Sequence, residues 1–123
     1  IRDRYNTFNK VEKSFIRVEA DEVTYPLHVI LRFNIEKQII ENEVSTEELP
    51  DIWNSEFKKI FKMEIKDDSD GCLQDIHWYA GLFGYFPTYT LGAMISAQLA
   101  HQFRKDIKNL DKFINVGDLK IGA

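Results

Sequence analysis

Two phrases hold the residues able to do chemistry. One is Ile16-Arg17-Val18-Glu19-Ala20-Asp21, running into Val23-Thr24-Tyr25-Pro26-Leu27-His28; the other is Gly71-Cys72-Leu73-Gln74-Asp75-Ile76-His77-Trp78, running into Gly84-Tyr85-Phe86-Pro87-Thr88-Tyr89. They concentrate Arg, His, Gln and Tyr where a loop meets a helix, and such groups recognise carboxylates, peptide backbone and developing oxyanions. Several other chemistries are excluded by motif. His28, His77 and His101 are far apart and none stands in H-E-x-x-H or another local zinc spacing, so this chain alone is expected to bind no metal. Setting Gly71 at the sixth position of an EF-hand loop puts Lys66 first and His77 twelfth, both wrong for calcium. Phosphate-loop, dinucleotide and serine-elbow motifs are missing. Cys72, beside apolar Leu73, reads as a packing residue rather than a nucleophile.

Composition bounds what can position these groups. The 123 residues, 44% hydrophobic and 29% charged, suffice for one core but not for two domains, so residues 1–123 are expected to form a single segment. An aromatic content of 13% calls for a large buried surface, or for apolar surface awaiting a partner. The net charge of -4 comes from interspersed signs and gives no basic field, which argues against nucleic acid as a partner. A lone cysteine fits a reducing compartment, hence a cytoplasmic location. Apolar runs fall far short of the roughly 20 residues that span a bilayer, so no membrane is expected. The chain opens on Ile1 and closes on Val116-Gly117-Asp118-Leu119-Lys120-Ile121-Gly122-Ala123, which reads as an internal cut at one end and an unfinished element at the other.

The elements read mostly as helix. Tyr5, Phe8 and Val11 suggest a short amphipathic helix over residues 4–14, and the alternation across residues 15–20 suggests a half-buried strand. Pro26 fits the first turn of a helix over residues 26–41, with Thr24 as its cap. There Leu27, Ile30, Leu31, Ile35 and Ile39 face a core, while Arg32, Glu36 and Lys37 face elsewhere. Ser45-Thr46-Glu47-Glu48 offers a capping box ahead of a helix carrying Leu49, Ile52, Trp53, Phe57, Ile60 and Phe61. Asp67-Asp68-Ser69-Asp70-Gly71 then opens a loop with at most a helical turn. From Pro87 onward, Leu91, Met94, Ile95, Leu99, Phe103 and Ile107 form one stripe beside Gly92, Ala93, Ala97 and Ala100, a small-residue side that another helix can approach closely. A last helical piece over residues 110–114 ends near Gly117. The fold class is mainly α, with at most one or two short strands.

The two opening phrases together resemble the thermostable carboxypeptidase family of zinc metallocarboxypeptidases, whose members carry I-R-x-x-A-D and G-x-x-Q-D-x-H-W. Both motifs are complete here, and the similarity runs from about Tyr5 through Gly84-Tyr85-Phe86-Pro87-Thr88-Tyr89-Thr90-Leu91-Gly92 into the following helix. The resemblance implies an all-α fold with a deep cleft that removes single amino acids from peptide C-termini, as a homodimer when complete. It also implies zinc held by an H-E-x-x-H helix and a downstream Glu, both upstream of the matched region. This chain lacks those parts, the H-P-F and D-x-R-x-T motifs, and the final helices. It therefore resembles a C-terminal section whose partner is a missing N-terminal section carrying the zinc site.

The resemblance gives individual residues roles in recognition. Arg17 is the candidate for the substrate's terminal carboxylate, since a guanidinium presents a bidentate fork and stays charged; its alternative is an ion pair with Asp21 or Glu19. Asp21 is read as structural support, the acid that orients Arg17, and Asp75 as structural support too. Gln74 and His77 can donate to substrate backbone or oxyanion, the alternative for His77 being a satisfied core histidine. Tyr85 and Tyr89 flank a helix start, and one of them, with Tyr89 favoured, contacts substrate. His28 sits near a helix start suited to anions. His101 has no assigned role, while Trp53 and Trp78 pack. The alternative to the peptidase reading is a non-catalytic helical binding module or a gene remnant.

Overall fold

Short-range patterning predicts the helices well and misplaces the segment before them. The computed structural model describes residues 6–41 and 44–117. Among these, residues 6–8 are helical and residues 10–14 are not, so the expected first helix is shorter than its pattern; Tyr5 lies outside the described residues. The expected strand over residues 15–20 is a 3-10 turn, Arg17–Glu19, with Ala20 N–H donating to Arg17 O at 3.1 Å. Its alternation has another cause. Arg17 is buried by a polar contact rather than by sheet pairing, and no strand occurs among the described residues.

Helix α1 (Tyr25–Ile40) carries Pro26 in its first turn, where a missing N–H leaves no helical bond unmade. Thr24 occupies the cap position without making a side-chain cap bond, since its hydroxyl donates to Asp21 Oδ2 at 3.0 Å. Asp21 is the acceptor at this junction. It takes N–H bonds from Glu12 (2.9 Å), Val23 (2.8 Å) and Thr24 (2.9 Å), which lower its pKa to about 2. Helix α2 (Leu49–Phe61) follows a partial capping box, in which Glu48 Oε2 accepts the Ser45 N–H at 3.0 Å. It stops at Lys62, whose left-handed φ of 58° breaks the helical repeat.

The chain divides into two compact units, Ile1–Tyr89 and Thr90–Ala123. In the first, Leu31 and Ile35 of α1 meet Trp53, Phe57 and Phe61 of α2, together with Cys72. Phe57 stacks on Phe61 at 4.5 Å and on Phe15 at 5.8 Å. Burying each such side chain contributes about 1.5–3 kcal/mol through the hydrophobic effect. One expectation fails within α1. Arg32 and Glu36 are fully buried, whereas Leu27 and Ile30, placed in the core by sequence, are exposed. Helices α3 (Pro87–Asp106) and α4 (Leu110–Val116) follow a loop made of turns over residues 67–86, and contain no buried residue.

Candidate substrate-recognition site

The site belongs to the first unit and is built around Asp75. Arg17 donates to it from Nε at 3.1 Å and from Nη2 at 2.7 Å, and Arg32 donates from Nε at 2.6 Å. Two guanidinium groups therefore share one carboxylate. Burial, the largest influence, would raise the Asp75 pKa, but the bond from Arg17 and the charge and bond of Arg32 outweigh it and hold the group below the usual carboxylate range. Burial alone would weaken the Arg17 charge, yet Asp75 and Tyr25 raise its pKa, while burial pulls Arg32 down to about 10. Both arginines stay charged at neutral pH.

Arg32 is the residue that sequence reasoning missed. Its remaining donors reach His28 O (2.9 Å) and Gln74 Oε1 (2.7 Å), and its guanidinium lies 4.8 Å from the Trp53 ring centroid. Glu36, one turn further along, accepts from Trp78 Nε1 at 2.8 Å and from Gly84 N at 3.2 Å, holding two points of the aromatic loop on α1. A signal existed. His28, Arg32 and Glu36 recur every four residues beside apolar Leu31 and Ile35, which places a polar stripe inside the buried face. Gly84 reaches its position with φ 78°, a conformation that suits glycine. Gly71 permits close packing, since an added Cβ there would lie 3.3 Å from Ile65 Cγ2 and 3.5 Å from Trp53.

Above the charges lies an aromatic layer. The Arg17 guanidinium is 4.9 Å from the Tyr89 ring centroid, 5.6 Å from Phe86 and 5.7 Å from Tyr25, whose hydroxyl accepts from Nη1 at 2.7 Å. His77 Nε2 and Tyr89 Oη are 2.9 Å apart, and His77 packs on Phe86 at 4.4 Å and on Tyr85 at 5.6 Å. His77 Nδ1 stands 3.8 Å from Asp75 Oδ1, too far for a hydrogen bond, and has no partner among the described residues. Burial pushes the Tyr89 phenol up, with Arg17 working against it, so Tyr89 is a neutral group near pH 7. Tyr85 is 43% exposed and borders the pair.

Of the residues singled out by sequence, Arg17, Gln74, Asp75, His77, Tyr85 and Tyr89 come together, while Asp21 and His28 take other positions. Asp21 does not orient Arg17; Asp75 holds the guanidinium, because Asp21 is occupied by the N–H groups ahead of α1. Gln74 is internally committed rather than open to substrate. Its Oε1 accepts from Arg17 N (2.9 Å) and Arg32, and its Nε2 donates to Phe15 O (3.1 Å) and Asp70 O (2.9 Å). His28 is a core residue, fully buried 4.4 Å from the Phe61 ring, with neither ring nitrogen bonded. Its burial, followed by repulsion from Arg32 and Arg17, lowers its pKa to about 4, so it offers no cation to an anion.

The described residues do not fit a metal. No group of three His, Cys, Asp or Glu among them could hold an ion, Asp75 is taken by two arginines, and His77 Nε2 faces Tyr89. Burial raises the Cys72 thiol pKa, which keeps it protonated. Cys72 lines an apolar cavity of about 320 Å³ with Ile39, Leu49, Trp78 and Phe83.

A helical section with a buried arginine–carboxylate cluster beneath a His–Tyr pair, and no metal-ligand group among its described residues, has a match among metallopeptidases. The chain belongs to the Carboxypeptidase Taq (M32) metallopeptidase family, whose model matches residues 1–121. It is 47% identical over 116 residues to Carboxypeptidase 1 of Bacillus subtilis, covering 94% of this chain and 23% of that protein. A solved Pyrococcus furiosus carboxypeptidase matches with a TM-score of 0.92 at 41% identity, over 97% of this chain and 24% of its own. Trypanosoma cruzi metallocarboxypeptidase 1 matches with a TM-score of 0.88 at 42% identity, over 96% and 25%. The chain thus spans about a quarter of the length of these relatives.

Proposed function

We propose that this chain is the substrate-recognition section of a metal-dependent carboxypeptidase that removes C-terminal amino acids from peptides. In this reading it forms the C-terminal part of the catalytic domain, of a cytoplasmic enzyme that is a homodimer when complete. The observation supporting it most is the charge imbalance at Asp75. Arg17 and Arg32 bring two cations to one carboxylate directly beneath the His77–Tyr89 pair. A positive field under a phenol donor suits a peptide's terminal carboxylate and a carbonyl oxygen gaining charge. In this reading Arg17, buried and bonded to Asp75 and Tyr25, attracts the carboxylate through its charge; Tyr89, oriented by its contact with His77 Nε2, donates to the oxygen, and Tyr85 borders the peptide.

The zinc chemistry of such an enzyme is assigned to a segment carrying H-E-x-x-H, and this chain alone is inactive. One observation favours the second reading, a helical binding module without catalysis: Arg17 and Gln74 are largely occupied by contacts inside the chain. Assembly with the zinc-bearing section of a family member separates the two. The expected result is hydrolysis of peptides with a free C-terminus and little of amidated ones, with Tyr89→Phe lowering kcat more than it raises KM. Equal turnover of free and amidated peptides would remove carboxylate recognition. Hydrolysis by the chain alone, with tight zinc binding in equilibrium dialysis, would remove the assignment of catalysis to another segment.

A further inference from the structure

Glu36 is a buried carboxylate that the arginine cluster does not use. It is 2% exposed, and no ion pair involves it among the described residues. Its two oxygens accept from neutral donors instead, Oε1 from Trp78 Nε1 at 2.8 Å and Oε2 from Gly84 N at 3.2 Å. Burying a carboxylate costs more than burying an amide, so a single hydrogen bond would be made more cheaply by glutamine. What only the carboxylate offers at this shape is an acceptor on both sides, since an amide nitrogen can only donate.

Both donors stand beside site residues: Trp78 follows His77, and Gly84 precedes Tyr85. Between them the loop folds on itself, with Gly81 N–H donating to Trp78 O at 3.0 Å and Leu82 N–H to His77 O at 2.8 Å. Glu36 fastens that folded loop to α1 at two points. The rings of His77 and Tyr85 then lie 5.6 Å apart, and those of Tyr85 and Tyr89 5.4 Å apart. Arg32, one turn earlier on α1, holds Gln74 and Asp75. One helix therefore spaces the aromatic groups from the charges, by a rise of about 6 Å over four residues.

We propose that Glu36 is a positioning residue for the substrate site: its grip on Trp78 and Gly84 fixes His77 and Tyr85, and through them Tyr89, over the Arg17 guanidinium. Its consequence for turnover rests on the peptide-recognition reading. Glu36→Gln replaces one acceptor by a donor at nearly unchanged volume, so one of the two ties must break. In this chain, solvent exchange of the Trp78 indole or Gly84 amide proton, followed by NMR, should speed up at least about tenfold, with the Trp53 indole unchanged.

Turnover is measured in Bacillus subtilis Carboxypeptidase 1 carrying this chain in place of its matched segment. There Glu36→Gln should lower kcat about tenfold or more and leave KM within about threefold, since a misplaced donor is felt in the transition state. The preference for free over amidated C-termini should persist, because Asp75 holds Arg17 independently of the loop's far end. Trp78→Phe removes the indole donor and reaches the same tie from the other side; it should lower kcat in the same direction, and the two substitutions together should cost less than their sum. Ile35→Val, in the core on the same helix, should lower stability and leave kcat unchanged. A matching fall in kcat with Ile35→Val would reduce Glu36 to a packing role. Unchanged exchange at both protons, or faster exchange with unchanged kcat, would overturn the proposal. A chimera that turns over free and amidated peptides alike, yet still loses kcat with Glu36→Gln, would defeat carboxylate recognition and leave the positioning role standing.

Discussion

Helices α1 and α3 both turn large apolar residues outward, for opposite reasons. In α1, Leu27, Ile30 and Phe33 are exposed because the opposite face carries His28, Arg32 and Glu36 alongside Leu31 and Ile35, all buried. In α3, Leu91, Ile95 and Leu99 are exposed while nothing on the helix is buried. Exposed apolar residues therefore have two meanings in this chain: the reverse side of a polar core, and a surface without its counterpart. The first tolerates little change at its charges. The second tolerates almost any change while the chain is alone.

Breaking that contrast begins with Arg32. Arg32→Ala removes the 2.6 Å bond to Asp75, the bond to Gln74 and the contact with Trp53. Loss of one partner from a buried ion pair should cost about 3–5 kcal/mol, measured by urea denaturation followed through tryptophan fluorescence. A cost below about 1 kcal/mol would show that Arg17 alone satisfies Asp75.

His28 gives the next largest effect. Its folded pKa of about 4 lies below the ordinary histidine value of about 6.5, so the unfolded chain binds more protons between those values. Stability should be constant above pH 6.5 and fall by about 3 kcal/mol as pH drops through 4, and His28→Leu should abolish that slope. Asp21, with a pKa of about 2, contributes in a separate window: its share is present above the unfolded value near 3.8 and is lost as pH falls towards 2. A slope that survives His28→Leu between pH 4 and 6.5 would place the titration elsewhere.

Tyr89→Phe removes one hydrogen bond, the 2.9 Å contact with His77, and should cost about 1 kcal/mol in the same denaturation assay. The smallest effect is expected on α3, where Leu99→Ser in the chain alone should stay within about 0.5 kcal/mol because Leu99 is already in water. A larger loss would mean that α3 is packed in solution, and the contrast with α1 would fail.

Much of this was readable from residue order. The helical runs, Pro26 at a helix start, the packing of Trp53, Phe57 and Phe61, and the family itself follow from local periodicity and two motifs. What was misread shares one physical cause. The alternation over residues 15–20 resembled a strand, and Arg32 and Glu36 resembled solvent-facing charges, because a polar side chain buried by a distant partner looks the same in sequence as an exposed one. The partner of Arg17 is Asp75, 58 residues away, and that of Arg32 is the same carboxylate, 43 residues away.

By itself the sequence determined the family, the helical class and the cast of Arg, Gln, Asp, His and Tyr at the site, since motif identity and short-range spacing are local properties. Only the tertiary structure decided which of them are occupied. Hydrogen-bonding capacity is finite, and once Gln74 bridges Arg17, Arg32, Phe15 and Asp70, Asp75 joins two arginines, and buried His77 turns Nε2 to Tyr89, the site residues left least committed are Tyr89 and Tyr85.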